Sequence, residues 1–294
     1  MTNAEPQADA LLARQMARAA ESVHCVGYYT PEIRTLTNRG FSGWWHAYFG
    51  YRFAPLGRVS ASVVAATAYN FAPRMVARAV PSTWDVLEPA ELLGVHRSLV
   101  STAMDRIFAG GLLAGEIAEA AELARTAVTD LAIAGRPLFA AHTQLEWPDD
   151  PCMSLWHGCT LIREFRFDGH NMTLGAAGID GVECHALMAA FGHGNQATIE
   201  GIRGWTKDEW DAGVHRLRRR GWLDDDGQFT AEGREARAGV ERGTDRCSVG
   251  LVDNLGPTAA GRLIDLLKPI ADHLVSSGEV AGVWPPPAVM RPLA

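Results

Sequence analysis

What this 294-residue chain lacks narrows its chemistry first. It has five cysteines, Cys25, Cys152, Cys159, Cys184 and Cys247, an odd number with no CxxC spacing. That argues against a disulfide framework and against a zinc ribbon, and makes a reducing compartment the default. The N-terminal stretch MTNAEPQADALLARQMARAAE has no basic segment followed by an apolar run, so no secretory signal is read there. No apolar run approaches the ~18 residues that a membrane span needs. A cytoplasmic protein with no membrane partner is therefore expected. There is no GxGxxG loop, no P-loop, no HExxH and no facial-triad spacing, so neither a metal nor an organic cofactor is expected. A single axial histidine to haem is the alternative kept beside that reading. Positive charge is also scarce. Lys plus Arg number 27 against 34 Asp plus Glu, for a formal net charge of −7. An acidic chain can bind DNA through a local basic patch, but the balance points away from nucleic acid.

What is present is ordinary globular material. The chain is 47% hydrophobic and 21% charged, enough for one large core or two modest ones. From Ala8 to about Val26, apolar residues recur at helical spacing, and Glu21 and His24 share a face. Thr30-Pro31 opens a short helix. The aromatic run FSGWWHAYFGYR, with Trp44, Trp45, Tyr48, Phe49 and Tyr51, reads as a core stripe, with a pocket for a flat molecule as the alternative. Ser60 to Tyr69 and a second helix from Pro73 to before Pro81 make a helix-turn-helix shape, with Ser60 and Asn70 as caps. Glu88 to Phe108 and Ala114 to Ala134 read as longer helices. A further segment runs from Arg136 to Leu145.

Trp147-Pro148-Asp149-Asp150-Pro151 is the best linker, and it divides the chain into 1–147, a helical domain, and 148–294. Met153 to Asp168 then reads as a helix that Gly169 ends, with His170 opening the next segment. Its His157, Leu161, Glu164 and Asp168 share one side, and Trp156, Thr160, Arg163 and Phe167 the next. Beyond it lie helices at Ile179–Phe191 and Gln196–Ile202, then a capping box, Thr206 with Glu209, that opens a third. Trp210, Val214 and Leu217 point inward, and the helix ends in Arg218-Arg219-Arg220-Gly221. A short hairpin follows, Trp222-Leu223, a turn at Asp225-Asp226-Gly227, and Phe229-Thr230, with Thr230 capping the next helix. That is the order of a winged helix-turn-helix.

In GWTKDEWDAGVHRLRRRGWLDDDGQFTAEGREA the chain resembles the MarR group of bacterial regulators, which implies a winged-helix fold for this stretch. The departures bear on function. The wing is Asp224-Asp225-Asp226-Gly227-Gln228, without the cations that a minor groove selects. The start of the third helix offers Asp208, Glu209 and Asp211, which repel phosphates. DNA binding is not expected. The stretches Gly57 to Trp84 and Gly194 to Trp222 look alike, each a loop, two short helices and a closing Trp. The expected fold is mainly α, with two degenerate winged-helix modules joined by the long helices at Glu88–Leu145 and Pro257–Ser277, a pseudo-dimer in one chain. Two unrelated helix pairs remain the alternative.

Over most of its length the chain also resembles a poorly characterised actinobacterial family of helical proteins with a degenerate MarR-like half. The matching residues are Glu21, His24 and Tyr28; Tyr48-Phe49 with Arg52 and Ala54-Pro55-Leu56-Gly57; Ala66 to Phe71 with Pro73; Arg78 and Val80 leading to Trp84; and Leu155-Trp156-His157, Thr160, Arg163-Glu164, Arg166 and Asp168-Gly169-His170. That family carries His at the position of Phe165 and Gly at that of Phe167. Losing the His weighs against a metal or haem role here. The resemblance implies fold, setting and an internal polar cluster, and no particular reaction.

That cluster has two readings. In the first, Arg163, Arg166, Glu164 and Asp168 pair with one another and with Glu21 or Arg52, while His157 and His170 are core or cap residues. In the second they line a pocket for a small organic molecule. His24, Tyr28, Trp44, Trp45, Tyr48, Arg52, Trp156, Arg163, Glu164 and Arg166 would bind it. His157, His170 and Asp168 would move protons. Cys159 and His157, two apart on one helix, point to different faces, which argues against a nucleophilic pair. A cofactor-independent cyclisation, isomerisation or dehydration in specialised metabolism is the reaction class that fits. A ligand-responsive MarR-like regulator and a metabolite-sequestering resistance protein are the alternatives, in a monomer or homodimer.

Overall fold

The computed structural model describes residues 5–281. The outer ends of the two expected domains, residues 1–4 and 282–294, lie outside them. The chain begins with α1 (Glu5–His24), then the short turns of helix α2 (Val26–Tyr29) and α3 (Pro31–Arg34), and the aromatic α4 (Trp44–Phe53). Next come α5 (Ala61–Ala68), α6 (Pro73–Ala77) and α7 (Thr83–Val86), followed by α8 (Pro89–Ile107), α9 (Ala114–Val128) and α10 (Pro137–His142). The longest helix is α11 (Pro151–Ala176). After it stand α12 (Gly181–Ala190), α13 (Gln196–Arg203), α14 (Lys207–Arg219), α15 (Ala231–Arg246), α16 (Gly250–Leu255) and α17 (Pro257–Ser276). The protein is mainly α. The described residues contain no strand beyond one antiparallel bridge, Leu223 to Phe229.

The rest packs around α11. It lies against α1, α8, α9 and α10 on one side of the chain order and α15 on the other, while α17 and α16 close over α1 and α9. Asp150 caps it, accepting the Met153 N–H at 2.9 Å, and Pro151 supplies its first turn. The expected stop at Gly169 does not occur, and α11 continues for seven residues, to Ala176. Gly169 is instead a close-approach position. A Cβ there would meet the Cβ of Cys247 at 2.9 Å and the Arg136 guanidinium at 3.1 Å. Gly158 is a second close approach on another face of α11, where a Cβ would come within 2.8 Å of Ala124 on α9. Glycine is tolerated mid-helix at both because neighbours occupy the space.

The larger core takes Met16, Phe49, Phe53, Trp84, Leu92, Phe139, Leu155, Ile162, Leu263 and Ile270, and so runs across the expected boundary at 147/148. A smaller core of Leu174, Ile179, Leu187, Leu217, Leu223, Phe229 and Val240 joins α12, α14, the hairpin turn and α15 into a C-terminal unit, with Trp210, Val214 and Trp222 packed at its edge. The local signals of this unit act as read. Thr206 and Glu209 form the capping box, and Thr230 caps α15 through the Gly233 N–H at 3.0 Å. A second capping box, Asp180 with Glu183, opens α12.

The first helix pair, α5 and α6, is present, but the described residues after it turn into α7 without strand pairing. Asn70 does not cap α6, whose cap position is Ala72. Its carbonyl instead accepts from Trp205 Nε1 at 2.9 Å. The two helix pairs dock on each other there. Ala72 N donates to Arg203 O at 2.9 Å, the Tyr69 hydroxyl donates to Ile179 O at 2.7 Å, and Arg74 grips both Glu209 oxygens at 2.6 Å.

Candidate functional site

Two cavities flank α11, and the polar cluster is divided between them. The first, of about 340 Å³, lies in the seam where α1 and α11 face α12 and α15. Arg163, Arg166, Phe167, His170 and Leu174 form one stripe of α11 at helical spacing, and they make one wall. Arg237, Val240, Glu241 and Thr244 make the facing wall on α15. Cys184, Leu187 and Met188 close it from α12, and Ala17, Arg18 and Glu21 from α1.

Arg166 is paired across the seam, and Arg237 is paired along α15. Arg166 donates to Glu241 at 2.8 Å and to Asp245 at 2.9 Å, and Arg237 donates to Glu241 at 3.0 Å. Burial alone would raise the Glu241 carboxyl. The hydrogen bond from Arg237, with the charges of Arg237, Arg166 and Arg14, holds it below its ordinary value. Arg18, exposed at the rim, has no ion-pair partner among the described residues. Thr244 gives its own proton to Val240 O, so it accepts from His170 Nδ1 at 3.0 Å. That leaves His170 Nε2 as the nitrogen with a lone pair. Burial, then Arg237, pushes the His170 ring down to about 4, so it is neutral at pH 7.

The second cavity, of about 30 Å³, is interior. It sits where α1, α2, α4, α8, α10 and α11 meet, with His24, Tyr28, Arg52, Trp156, His157 and Glu164 on its wall. Gly27 makes room for Trp156, whose indole would stand 3.0 Å from a Cβ there and whose Nε1 donates to His24 O at 3.3 Å. Thr160 gives its proton to Trp156 O and accepts from His24 Nδ1 at 3.0 Å. Arg52 donates to the Tyr48 hydroxyl, and its Nη2 stands 3.7 Å from Glu164. Arg163 reaches Glu164 at 2.8 Å and Glu21 at 3.5 Å, so it belongs to both cavities' networks. Burial favours a neutral Glu164, but Arg163 and then Arg52 outweigh it and hold the carboxyl below its usual range. Burial pushes His142 and His96 down to about 4 and His157 to about 3, and it also lowers His24 well below its ordinary value, with help from Arg163 and Arg52.

The three expected catalytic residues are therefore not assembled. His170 faces the seam and His157 the interior. Asp168 faces neither, since it caps α10 by accepting the Leu138 and Phe139 N–H groups at 3.1 and 2.9 Å. Burial raises its carboxyl to about 6. Trp44 and Trp45 pack edge-on against Tyr51 and Tyr48 as core material and line neither cavity. Tyr48 holds Arg52 from behind. Phe167 sits under two guanidinium groups, Arg163 at 4.6 Å and Arg52 at 4.8 Å, and Phe165 takes Arg136 at 3.6 Å. Arg18, Arg237, Glu241, Met188, His96 and His142 are wall residues that the sequence did not single out. The spacing of Arg237, Val240, Glu241 and Thr244 was the one available signal for the α15 wall.

No group of three or more His, Cys, Asp or Glu among the described residues is placed to hold a metal ion, and no described helix is long and apolar enough to cross a membrane. On α14, Glu209 is taken up by its cap and Arg74, while Asp208 and Asp211 face outward. Arg218 donates to the wing carbonyls of Asp224 and Asp225 at 2.9 and 2.6 Å, and Arg220 to Gly178 at 2.5 Å. The three wing aspartates are exposed.

A helix-turn-helix family profile matches residues 13–281. Neither a curated protein nor a solved structure matches the chain.

Proposed function

Because the chain belongs to a helix-turn-helix family, we propose that it has turned that scaffold to binding a small organic anion in the seam cavity. The observation that carries this is the guanidinium content of the wall. Four arginines, Arg18, Arg163, Arg166 and Arg237, face about 340 Å³ beside Glu21 and Glu241. Arg163 and Arg166 are also paired with Glu164 and Asp245, which are not part of the wall, so Arg18 is the wall guanidinium with no ion-pair partner among the described residues. The remaining wall, from Phe167, Leu174, Leu187, Met188 and Val240, is apolar. Such a volume suits a ligand of one or two rings, and a guanidinium fork suits its carboxylate. His170 Nε2 is a neutral base on that wall, so proton transfer to a bound ligand is chemically open to it. With His157 and Asp168 elsewhere, binding is the primary reading. The acidic start of α14 and the acidic wing support a role without DNA.

The test is a titration with aromatic and aliphatic monocarboxylates and their neutral amides, followed by thermal unfolding and calorimetry. A carboxylate at 100 times its Kd should stabilise the fold by about 2.7 kcal/mol, and its amide should not. Equal stabilisation by the amide would sink the anion reading. The regulator reading meets its own test in a gel shift at low salt with genomic promoter fragments, where a salt-sensitive shift would overturn the role without DNA.

A further inference from the structure

The interior cavity stands apart from the seam, and its wall is short of hydrogen-bond partners in one place. His24 Nε2, Tyr51 Oη, Arg52 Nε and Nη2, His142 Nδ1, His157 Nε2 and Glu164 Oε1 are all buried and unpartnered among the described residues. Each of these six residues lines this cavity and is at least nine-tenths buried. A buried polar atom left dry costs at least what its hydrogen bond is worth, and a marginally stable fold does not carry so many of them at one point. The site is therefore built for a guest that hydrogen-bonds.

The wall also says what kind of guest. Arg52 spends Nη1 on Tyr48, so its side edge, Nε with Nη2, is left as two parallel donors. Two oxygens of a planar oxyanion match that edge. Glu164 Oε2, at 3.7 Å from Nη2, is too far to fill it and already accepts from Arg163. Two arginines, Arg52 and Arg97, line the cavity against one glutamate, Glu164, and burial keeps its histidines neutral, which leaves a surplus of one positive charge. Two wall atoms can only accept. Glu164 Oε1 is a carboxylate oxygen, and His24 donates through Nδ1 to Thr160, which makes its Nε2 a lone pair. A guest without a proton to give leaves both unsatisfied. The volume, about 30 Å³, holds roughly two to three waters, and so a guest of only a few heavy atoms.

We propose that the interior cavity binds one compact, hydroxyl-bearing monovalent oxyanion of the bicarbonate class, with its oxygens on the side edge of Arg52 and its hydroxyl donating to Glu164 Oε1 or His24 Nε2. This does not depend on what the seam cavity binds.

The experiment compares sodium bicarbonate, formate and chloride at equal ionic strength and pH 8, on the full chain, by calorimetric titration and thermal unfolding. Bicarbonate should bind saturably. Formate, which has the oxygens but no hydroxyl, should bind at least about tenfold more weakly, and chloride should not saturate. Arg52→Lys keeps the charge and loses the edge, and should abolish the bicarbonate effect. Glu164→Gln offers a donor where the acceptor was, and should bring formate close to bicarbonate. Should either variant fail to fold, a crystal of the wild-type protein grown in bicarbonate decides the matter, since planar density against Arg52 is expected. Waters alone at that position, or equal effects of all three salts, would overturn the proposal.

Discussion

The two sides of α11 carry the same residue types and use them differently. On the seam side, arginines and carboxylates pair near solvent. Glu241 is 18% exposed and shares Arg14, Arg166 and Arg237. On the interior side, Glu164 is 1% exposed and answers to Arg163 and, at longer range, Arg52. The seam is wide enough for an organic ligand and the interior is not. A charged helix face therefore does not announce one site. The packing partner decides whether its charges are screened and adaptable or dry and fixed.

The largest expected effect breaks this comparison directly. Glu164→Ala leaves Arg52 and Arg163 without their buried carboxylate and should cost about 3–5 kcal/mol in urea unfolding, whereas Glu241→Ala should cost about 1 kcal/mol. Equal losses would mean that the two sides do not differ in dielectric environment.

Acid comes next. His96 and His142 are neutral in the fold, with values near 4 against 6.5 unfolded. The unfolded chain then binds more protons below pH 6.5, so stability falls as pH drops from 6.5 towards 4, by about 3 kcal/mol for each ring. Asp168, raised to about 6, runs the other way and contributes most at low pH, losing its share as pH rises through 6. Urea midpoints from pH 4 to 7 should rise overall, because the histidines outnumber it. A flat profile would show that the interior rings are already protonated or hydrated. Asp168→Asn should leave the steep acid side in place and remove the opposing rise.

A smaller effect tests the crossing between α11 and the end of α15. Gly169→Ala should destabilise by about 1–3 kcal/mol through overlap with Cys247, although alanine is the better helix former. Stabilisation would mean that the crossing is looser than the geometry says. Smallest in stability is Arg237→Ala, which should shift unfolding by under about 1 kcal/mol yet weaken carboxylate binding in the seam roughly tenfold, since it takes one guanidinium from the wall. Unchanged binding would place the anion elsewhere.

How much was legible depended on the range of each signal. The helices and the hairpin turn after α11 could be read because their signals are local. Thr206 and Glu209 meet within one turn, Gly227 supplies the positive φ of the wing turn, and Thr230 caps the next helix. Gly169 misled for the opposite reason. Glycine at the end of an apolar stretch is a common stop, and only Arg136 and Cys247, 33 and 78 positions away in the chain, make it a crossing point. Asp168 has the same history. Its stripe with His157 and Glu164 was correctly read, but its partners are the first N–H groups of α10.

By itself the sequence determined a mainly helical chain, the order of helices and hairpin turn after α11, and the concentration of arginine, histidine and carboxylate on α11, because these follow from spacing along one chain. Tertiary structure alone decided that α11 divides that chemistry between two cavities. It also decided that the first helix pair docks on the second through Asn70 and Arg74, and that α15 supplies the second wall of the seam. A cavity belongs to the surfaces that meet around it. Those surfaces come from segments as far apart as Ala17 and Thr244, whose approach no local periodicity encodes.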